Sequence, residues 1–308
     1  VYIRPFLVLT LLLCFIVTTQ AQERFVVMSL KGKVEARKTA GKESWNAVKV
    51  GDVLHATHTV RTSYASYVKL MTGKNRLLSI DANTTKQLST FAGTVKRQSS
   101  GSASERLLEY AAMQMKASRS RSNEPTYGAV RGNLDVFSAV FPKYAVMTTE
   151  PRFEWVDAEA AQQYEFVLLD EAFNIVTRMQ LDEAGFLYEE EKGPTLGDGR
   201  RYHWRITRLS DGLDSEIQTF QILPADTITE IREELIRLDE ELLNMGADQV
   251  TLHLIRAIYF EKRGLYTDAF HEYKQTVQLA PDVQEYRDML RNLLFHMRLY
   301  AEEEYLLE

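Results

Sequence analysis

The chain has 308 residues, 45% hydrophobic and 26% charged, which is the composition of an ordinary soluble globular protein with room for two or three domains. Its single cysteine, Cys14, lies in an N-terminal apolar run, so the mature chain is left without disulfides, thiol nucleophiles or cysteine metal sites. The net charge of −6 hides a split: residues 22–149 hold 20 Lys/Arg against 9 Asp/Glu, whereas residues 150–308 hold 16 against 34. Such asymmetry points to an anionic partner for the front half or to docking between the halves; a solvated basic surface is the plainer alternative.

Residues 1–21 read as an export signal. Arg4 precedes an apolar run from Phe6 to Val17, and Thr19 and Ala21 are small residues suited to cleavage before Gln22. The run is about 12 residues, too short to cross a hydrocarbon core of ~30 Å at ~1.5 Å per residue. The expectation is an exported, periplasmic or cell-surface chain with no transmembrane span after cleavage, a retained anchor being the alternative. Export argues against nucleic acid as the anionic partner and for an envelope polymer or lipid headgroups.

Residues 22–97 read as a small all-β domain. Val26, Met28, Leu30, Val34 and Ala36 alternate with Ser29, Lys31, Lys33, Glu35 and Arg37, the period of a half-buried strand with Gly32 as a bulge or bend. Turn chemistry then separates short elements: Trp45-x-x-Val48-x-x-Gly51-Asp52-x-Leu54, Val60-Arg61-Thr62, Ala65-x-Tyr67-Val68-Lys69-Leu70, a Thr72-Gly73 hairpin, and Leu78-x-Ile80. This ordered string resembles the FecR domain of bacterial envelope proteins, with Thr72-Gly73 where that family has Asp-Gly. The resemblance implies an exported non-catalytic module. In the name-giving member the domain relays a receptor's state to a sigma-factor regulator, so a sensory role in surface signalling is the alternative reading.

Residues 98–143 read as a linker: Gln98 to Ser102 is flexible, Glu105 to Lys116 spaces Leu107, Leu108, Ala111, Ala112 and Met115 on one helical stripe, and Ser118 to Asn123 is polar and basic. Residues 144–225 carry seven candidate strands, at 144–147, 152–156, 163–169, 174–180, 185–189, 201–208 and 215–222. Tyr164, Phe166 and Leu168 share one face, as do Tyr202, Trp204 and Ile206. Seven short strands with large inward aromatics and no cysteine pair resemble a fibronectin type III or immunoglobulin-like sandwich.

From residue 226 on, the period becomes helical. Thr227-x-x-Glu230 reads as a capping box, followed by a stripe of Ile231, Leu235, Leu238, Leu242 and Met245 that Gly246 ends. Ala257, Phe260, Gly264, Tyr266, Ala269, Tyr273 and Pro281 then fall where a tetratricopeptide repeat has its small, aromatic and proline positions. A shift of 34 carries Leu265-Tyr266 onto Leu299-Tyr300, so a second repeat is expected. By this resemblance a peptide groove would be lined by Thr251, Leu254, Ile258 and Glu261, then Glu285, Asp288, Asn292 and Phe295, and would suit a basic and apolar peptide. The alternative is that Leu254 and Ile258 merely pack on the 228–246 helix.

Nothing in the sequence announces a reaction. His55-x-x-His58 in an extended strand would send its rings to opposite faces, and His203 is expected outward and solvated. His253, His271 and His296 lie on different helices, and the carboxylate runs at Glu189–Glu191 and Glu302–Glu304 read as solvated faces. The chain has no nucleophile elbow, phosphate loop or zinc motif. The sequence therefore predicts a multidomain α+β, non-enzymatic envelope adaptor that needs no cofactor or metal. A FecR-like domain leads, a β-sandwich follows, and a tetratricopeptide-like stack binds a protein or peptide.

Overall fold

The computed structural model describes residues 24–39, 44–72, 76–91, 103–121, 136–299 and 301–307; the expected export signal and much of the expected linker lie outside them. An N-terminal β region, a middle β-sandwich and a C-terminal stack of helices follow one another, so the expected fold class holds.

The first region has eight strands: β1 (Arg24–Lys31), β2 (Val34–Lys38), β3 (Asn46–Ala47), β4 (Val53–His55), β5 (His58–Thr62), β6 (Tyr67–Thr72), β7 (Leu77–Ile80) and β8 (Thr85–Gln87). They form two sheets, in the orders β4-β1-β6-β7 and β3-β2-β5-β8. Phe25, Val27, Val34, Ala36, Val60, Val68, Leu70 and Ile80 fill the space between. The chain passes from one sheet to the other at Gly32, whose φ is +71°.

The expectation of a half-buried first strand fails. Phe25, Val27, Met28 and Ser29 are all buried, and the register against β6 shifts between Val27 and Ser29. The bulge lets one part of β1 face the domain's own core while Met28 faces the helices, so the strand is covered on both sides.

Helix α1 (Ala103–Arg121) is longer than the predicted 105–116. It packs against the C-terminal helices and β1, burying Leu107, Leu108, Ala111 and Met115. The Gly51-Asp52 step makes this possible. Gly51 sits at φ +80° and donates its N–H to the Val27 carbonyl at 2.8 Å, and a Cβ there would lie 3.0 Å from the Met115 Cβ.

The sandwich adds β9 (Phe137–Phe141), β10 (Tyr144–Val146), β11 (Arg152–Asp157), β12 (Tyr164–Asp170), β13 (Ile175–Leu181), β14 (Gly185–Leu187), β15 (Arg201–Arg208), β16 (Leu213–Asp214) and β17 (Gln218–Ile222). One sheet is β14-β11-β9; the other is β10-β17-β15-β12-β13, with β16 beside β15. Strand β9 falls in what the sequence suggested was linker. The apolar run Phe137-Ser-Ala-Val-Phe141 pairs with β11, and Pro142-Lys143 then carries the chain to the opposite sheet, where β10 runs parallel to β17. The Phe153 ring lies 4.6–6.1 Å from those of Phe166, Phe186, Tyr188, Trp204 and Phe220. Tyr202 Oη accepts the Gly197 N–H at 2.8 Å, the corner bond that immunoglobulin-like sandwiches make at the start of the equivalent strand. Arg208 ends β15 with no exposure, its guanidinium 3.2 Å from Asp157 and 5.0 Å from the centre of the Phe137 ring.

The stack comprises α2 (Ala225–Asn244), α3 (Gln249–Lys262), α4 (Tyr266–Leu279), α5 (Gln284–His296) and α6 (Glu303–Leu307). Thr227 and Glu230 do not form a capping box, because α2 already starts at Ala225 with Pro224 in the cap position. Three helix ends repeat one geometry. Gly246, Gly264 and Arg298 have φ of +88°, +73° and +61°. The following residues, Ala247, Leu265 and Leu299, donate five residues back, to Leu242, Phe260 and Leu294 at 2.9, 3.0 and 2.8 Å. The stops at Gly264 and Arg298 are 34 residues apart, the period read from the sequence.

Candidate functional site

Both β domains are bonded into the helical stack. On the N-terminal side, the Tyr286 hydroxyl donates to the Met28 carbonyl at 2.7 Å in a buried contact, and Leu77 N–H donates to the Met245 carbonyl at 3.2 Å. Asp248 caps α3 by accepting the Thr251 N–H at 2.9 Å while its other oxygen lies 3.6 Å from Lys69 Nζ. On the sandwich side, the Phe141 ring packs 4.7 Å from Phe270, and Thr267 Oγ1 donates to the Lys143 carbonyl at 3.2 Å. Lys143 Nζ donates to the Met297 carbonyl at 3.2 Å, and burial holds its pKa below the ordinary lysine range.

These joints decide what the predicted groove can do. Thr251 is 1% exposed, and Leu254 and Ile258 are fully buried, the latter two in one core with Leu107, Leu108, Ala111 and Met115 of α1. Helix α1 packs on α3 and α5, so the face expected to receive a peptide is covered from within the chain. Helix α3 also meets α2, through Arg256 with Asp239 and the Tyr259 hydroxyl donating to Glu234 at 2.6 Å. Glu261 accepts the Tyr273 hydroxyl at 2.7 Å. Glu285 and Asp288 are half-buried, with Asp288 3.7 Å from Arg291. Asn292 is exposed and Phe295 is 72% exposed. The eight residues thus do not form one continuous lining: three are interior, and the outward end of α5 is what remains accessible.

The histidines and acidic runs depart from expectation in instructive ways. His55 and His58 end and begin two strands joined by a tight turn, so their rings do not diverge. They lie side by side, with centroids 5.9 Å apart and the His55 N–H donating to His58 Nδ1 at 3.1 Å. His203 points outward but stacks on Phe173 at 4.2 Å and shares a hydrogen bond with Thr219 Oγ1 at 2.8 Å. His253 Nδ1 is 2.6 Å from Glu272 Oε2 across α3 and α4. His271 is held below the ordinary histidine range by burial, beside Phe141 and Phe270. Glu302 is 8% exposed rather than solvated, because α6 folds back toward the joint that holds Lys143. No cluster of three or more His, Cys, Asp or Glu that could hold a metal exists among the described residues.

Asp268, at the start of α4, has one oxygen buried without a hydrogen-bond partner among the described residues, and burial pushes its pKa up to about 6. Between pH ~4 and 6 the unfolded chain has lost this proton while the folded chain keeps it, so stability falls as pH rises through that window and the penalty is full above it. Asp268→Asn is therefore expected to stabilise the protein by about 1–2 kcal/mol at pH 7.5 and by about a third of that at pH 4.5, read from denaturant midpoints.

The outer face of the β3-β2-β5-β8 sheet is the second accessible surface. The guanidinium carbons of Arg37 and Arg61 lie 4.6 and 4.2 Å from the centre of the Trp45 ring. Arg61 holds Glu35 at 2.8 Å, and Lys33 lies 3.6 Å from the same carboxylate. Sequence reading placed Trp45 in a motif but missed this stack, because the pairing of Arg61 across from Glu35 is visible only once β2 and β5 are in register.

No family model matches the chain, and no curated protein does. Solved structures align distantly. The FN1-FN3 domains of chicken CNTN1, in a crystal structure, are 13% identical with a TM-score of 0.22, over 66% of this chain and 57% of that one. The sandwich is defined by its own strand order and the Tyr202 corner. No helix among the described residues is long and apolar enough to cross a membrane.

Proposed function

We propose that this protein is a non-enzymatic adaptor exported to the bacterial periplasm or cell surface. Its helical stack is a spine that fixes two β modules and presents their outer faces to separate partners. The observation that carries the reading is the closed inner face of the stack. Leu254 and Ile258 are buried with α1, and both β domains are hydrogen-bonded to the same helical stack, so the three units act as one body. The FecR and tetratricopeptide resemblances support this role, as does the export signal. Residues 24–91 carry 12 Lys/Arg against 4 Asp/Glu, which suits an anionic envelope polymer on the N-terminal side. A protein partner engages the outward end of α5 around Asn292 and Phe295, an exposed aromatic of the kind that anchors interfaces.

Site-specific photo-cross-linking in envelope extract tests this. A photoreactive residue at position 295 is expected to trap a discrete protein, and one at position 254 to trap only other parts of the same chain. Adducts to foreign protein at 254, or none at 295, would overturn the proposal.

A further inference from the structure

The two β modules are not equally committed to the spine. The β4-β1-β6-β7 sheet is covered by helices, whereas the β3-β2-β5-β8 sheet makes no comparable packing with the stack or the sandwich among the described residues. Docking of the basic region onto the acidic stack also consumes little charge. Among the described residues Lys69 pairs with Asp248 across that joint and also donates to the Gly246 carbonyl at 3.0 Å; much of the rest is apolar side chains. The positive charge of the first domain is therefore left on faces that do not serve the fold.

On the free sheet the register places Glu35 across from Arg61 and Arg37 across from Thr59, with Thr85 and Gln87 on the next strand. Trp45 lies against both guanidinium groups. A guanidinium resting on an aromatic ring keeps its planar fork pre-organised for a carboxylate. Arg61 shows the geometry occupied: Nε and a terminal nitrogen both reach Glu35 Oε2 at 2.8 Å. Arg37 rests on the same ring and is exposed, and no carboxylate pairs with it among the described residues.

We infer that the Arg37–Trp45–Arg61 face is a binding surface for a carboxylate-bearing polysaccharide. A uronate unit would place its carboxylate on the open fork of Arg37, with hydroxyls meeting Thr59, Thr85 and Gln87. Charge complementarity selects an anionic ligand, and a flat sheet with an aromatic and hydrogen-bonding side chains suits an extended sugar chain. A lipid surface would call for protruding aliphatic side chains, which this face does not offer. The inference rests on the adaptor reading above and names the polymer side of it. The cross-link at position 295 reports on the other side, so the two can fail separately.

The test is titration of the full mature chain with oligogalacturonate. Saturable binding that weakens with salt is expected, since the Debye length shrinks from ~10 Å at 0.1 M to ~3 Å at 1 M. Arg37→Gln and Trp45→Ala should each weaken it tenfold or more. Arg37→Lys should do nearly the same, because it keeps the charge and loses the fork. Arg76→Gln, an equal charge change beside β7 of the other sheet, should change it less than twofold. Glu35→Gln should strengthen binding severalfold by freeing the fork of Arg61, a gain that damage to the fold cannot imitate. The inference is overturned if the wild-type chain does not bind, if Arg37→Lys or Arg76→Gln behaves otherwise, or if Glu35→Gln brings no gain. It is also overturned if polyglutamate binds as tightly, which would mark an acidic-protein site, or if the fully methyl-esterified oligomer binds equally.

Discussion

Arg208→Met destabilises the sandwich by about 3–5 kcal/mol, the cost typical of breaking a buried ion pair from one side. Arg208 has no exposure and Asp157 has 1%, and they meet at 3.2 Å. Asp157 also accepts the Tyr164 hydroxyl at 2.8 Å and the Ala161 N–H at 3.0 Å, so these bonds hold its carboxylate in place when the arginine is gone. Burial and the same carboxylate push the Tyr164 hydroxyl up to about 12, so the tyrosine remains the donor to Asp157. A second substitution, Asp157→Asn, should return part of the loss, because the penalty comes from the stranded charge rather than from missing volume. Denaturant midpoints of the single and double variants measure this. A loss under about 1 kcal/mol for Arg208→Met would show that water reaches the site.

A chain ending at residue 225 does not hold the native fold of the part that remains. The cut removes α2–α6 and bares Met28, Val50, Met71 and Leu77 of the first domain, Leu107, Leu108, Ala111 and Met115 of α1, and Val140, Phe141 and Val156 of the sandwich, all members of one core with those helices. At about 1.5–3 kcal/mol for each large side chain, the exposed surface is worth roughly 15 kcal/mol or more, beyond the whole stability of an ordinary domain. The truncated chain should be recovered as aggregate, or as an expanded species that binds hydrophobic dyes and lacks a cooperative melt. A monodisperse product with a sharp transition would mean that the β domains do not depend on the spine.

Much of this architecture could be read from the sequence, and the failures share a cause. The turn-punctuated strands of the first domain, the aromatic alternation of β12 and β15 and the 34-residue helical period are local patterns, and local geometry obeys them. What the sequence hid is contact between distant segments. Strand β1 looked half-buried because its period gives one apolar face; that face, with Met28, meets Tyr286, 258 residues away, while Phe25 and Val27 on the other enter the domain's own core. Helix α1 had a legible stripe, but the stripe did not say that it would fill the face of α3 and α5.

The groove residues show the same limit. Thr251, Leu254 and Ile258 have the spacing of a ligand-binding face and also of a core, and burial by α1 decides between them. Arg208 gave no sequence signal, since an arginine at a strand end is ordinarily solvated and only the fold brings Asp157 to it. Glu302 was hidden in an acidic run whose neighbours are half-buried, as Glu303 bound to Arg291, or exposed, as Glu304. The Arg37–Trp45–Arg61 stack needed the pairing of β2 with β5 before its members could be seen as neighbours.

Amide hydrogen exchange on the full chain tests the central claim, that the inner face of the spine is closed by the chain itself. The α1 amides from Leu107 to Met115 are predicted to exchange as slowly as those of α3 and β1, with all three opening in one cooperative event. Exchange in α1 orders of magnitude faster than in α3 would contradict the account. It would mean that α1 leaves the helices in the resting protein, and that Leu254 and Ile258 face a groove open to a partner.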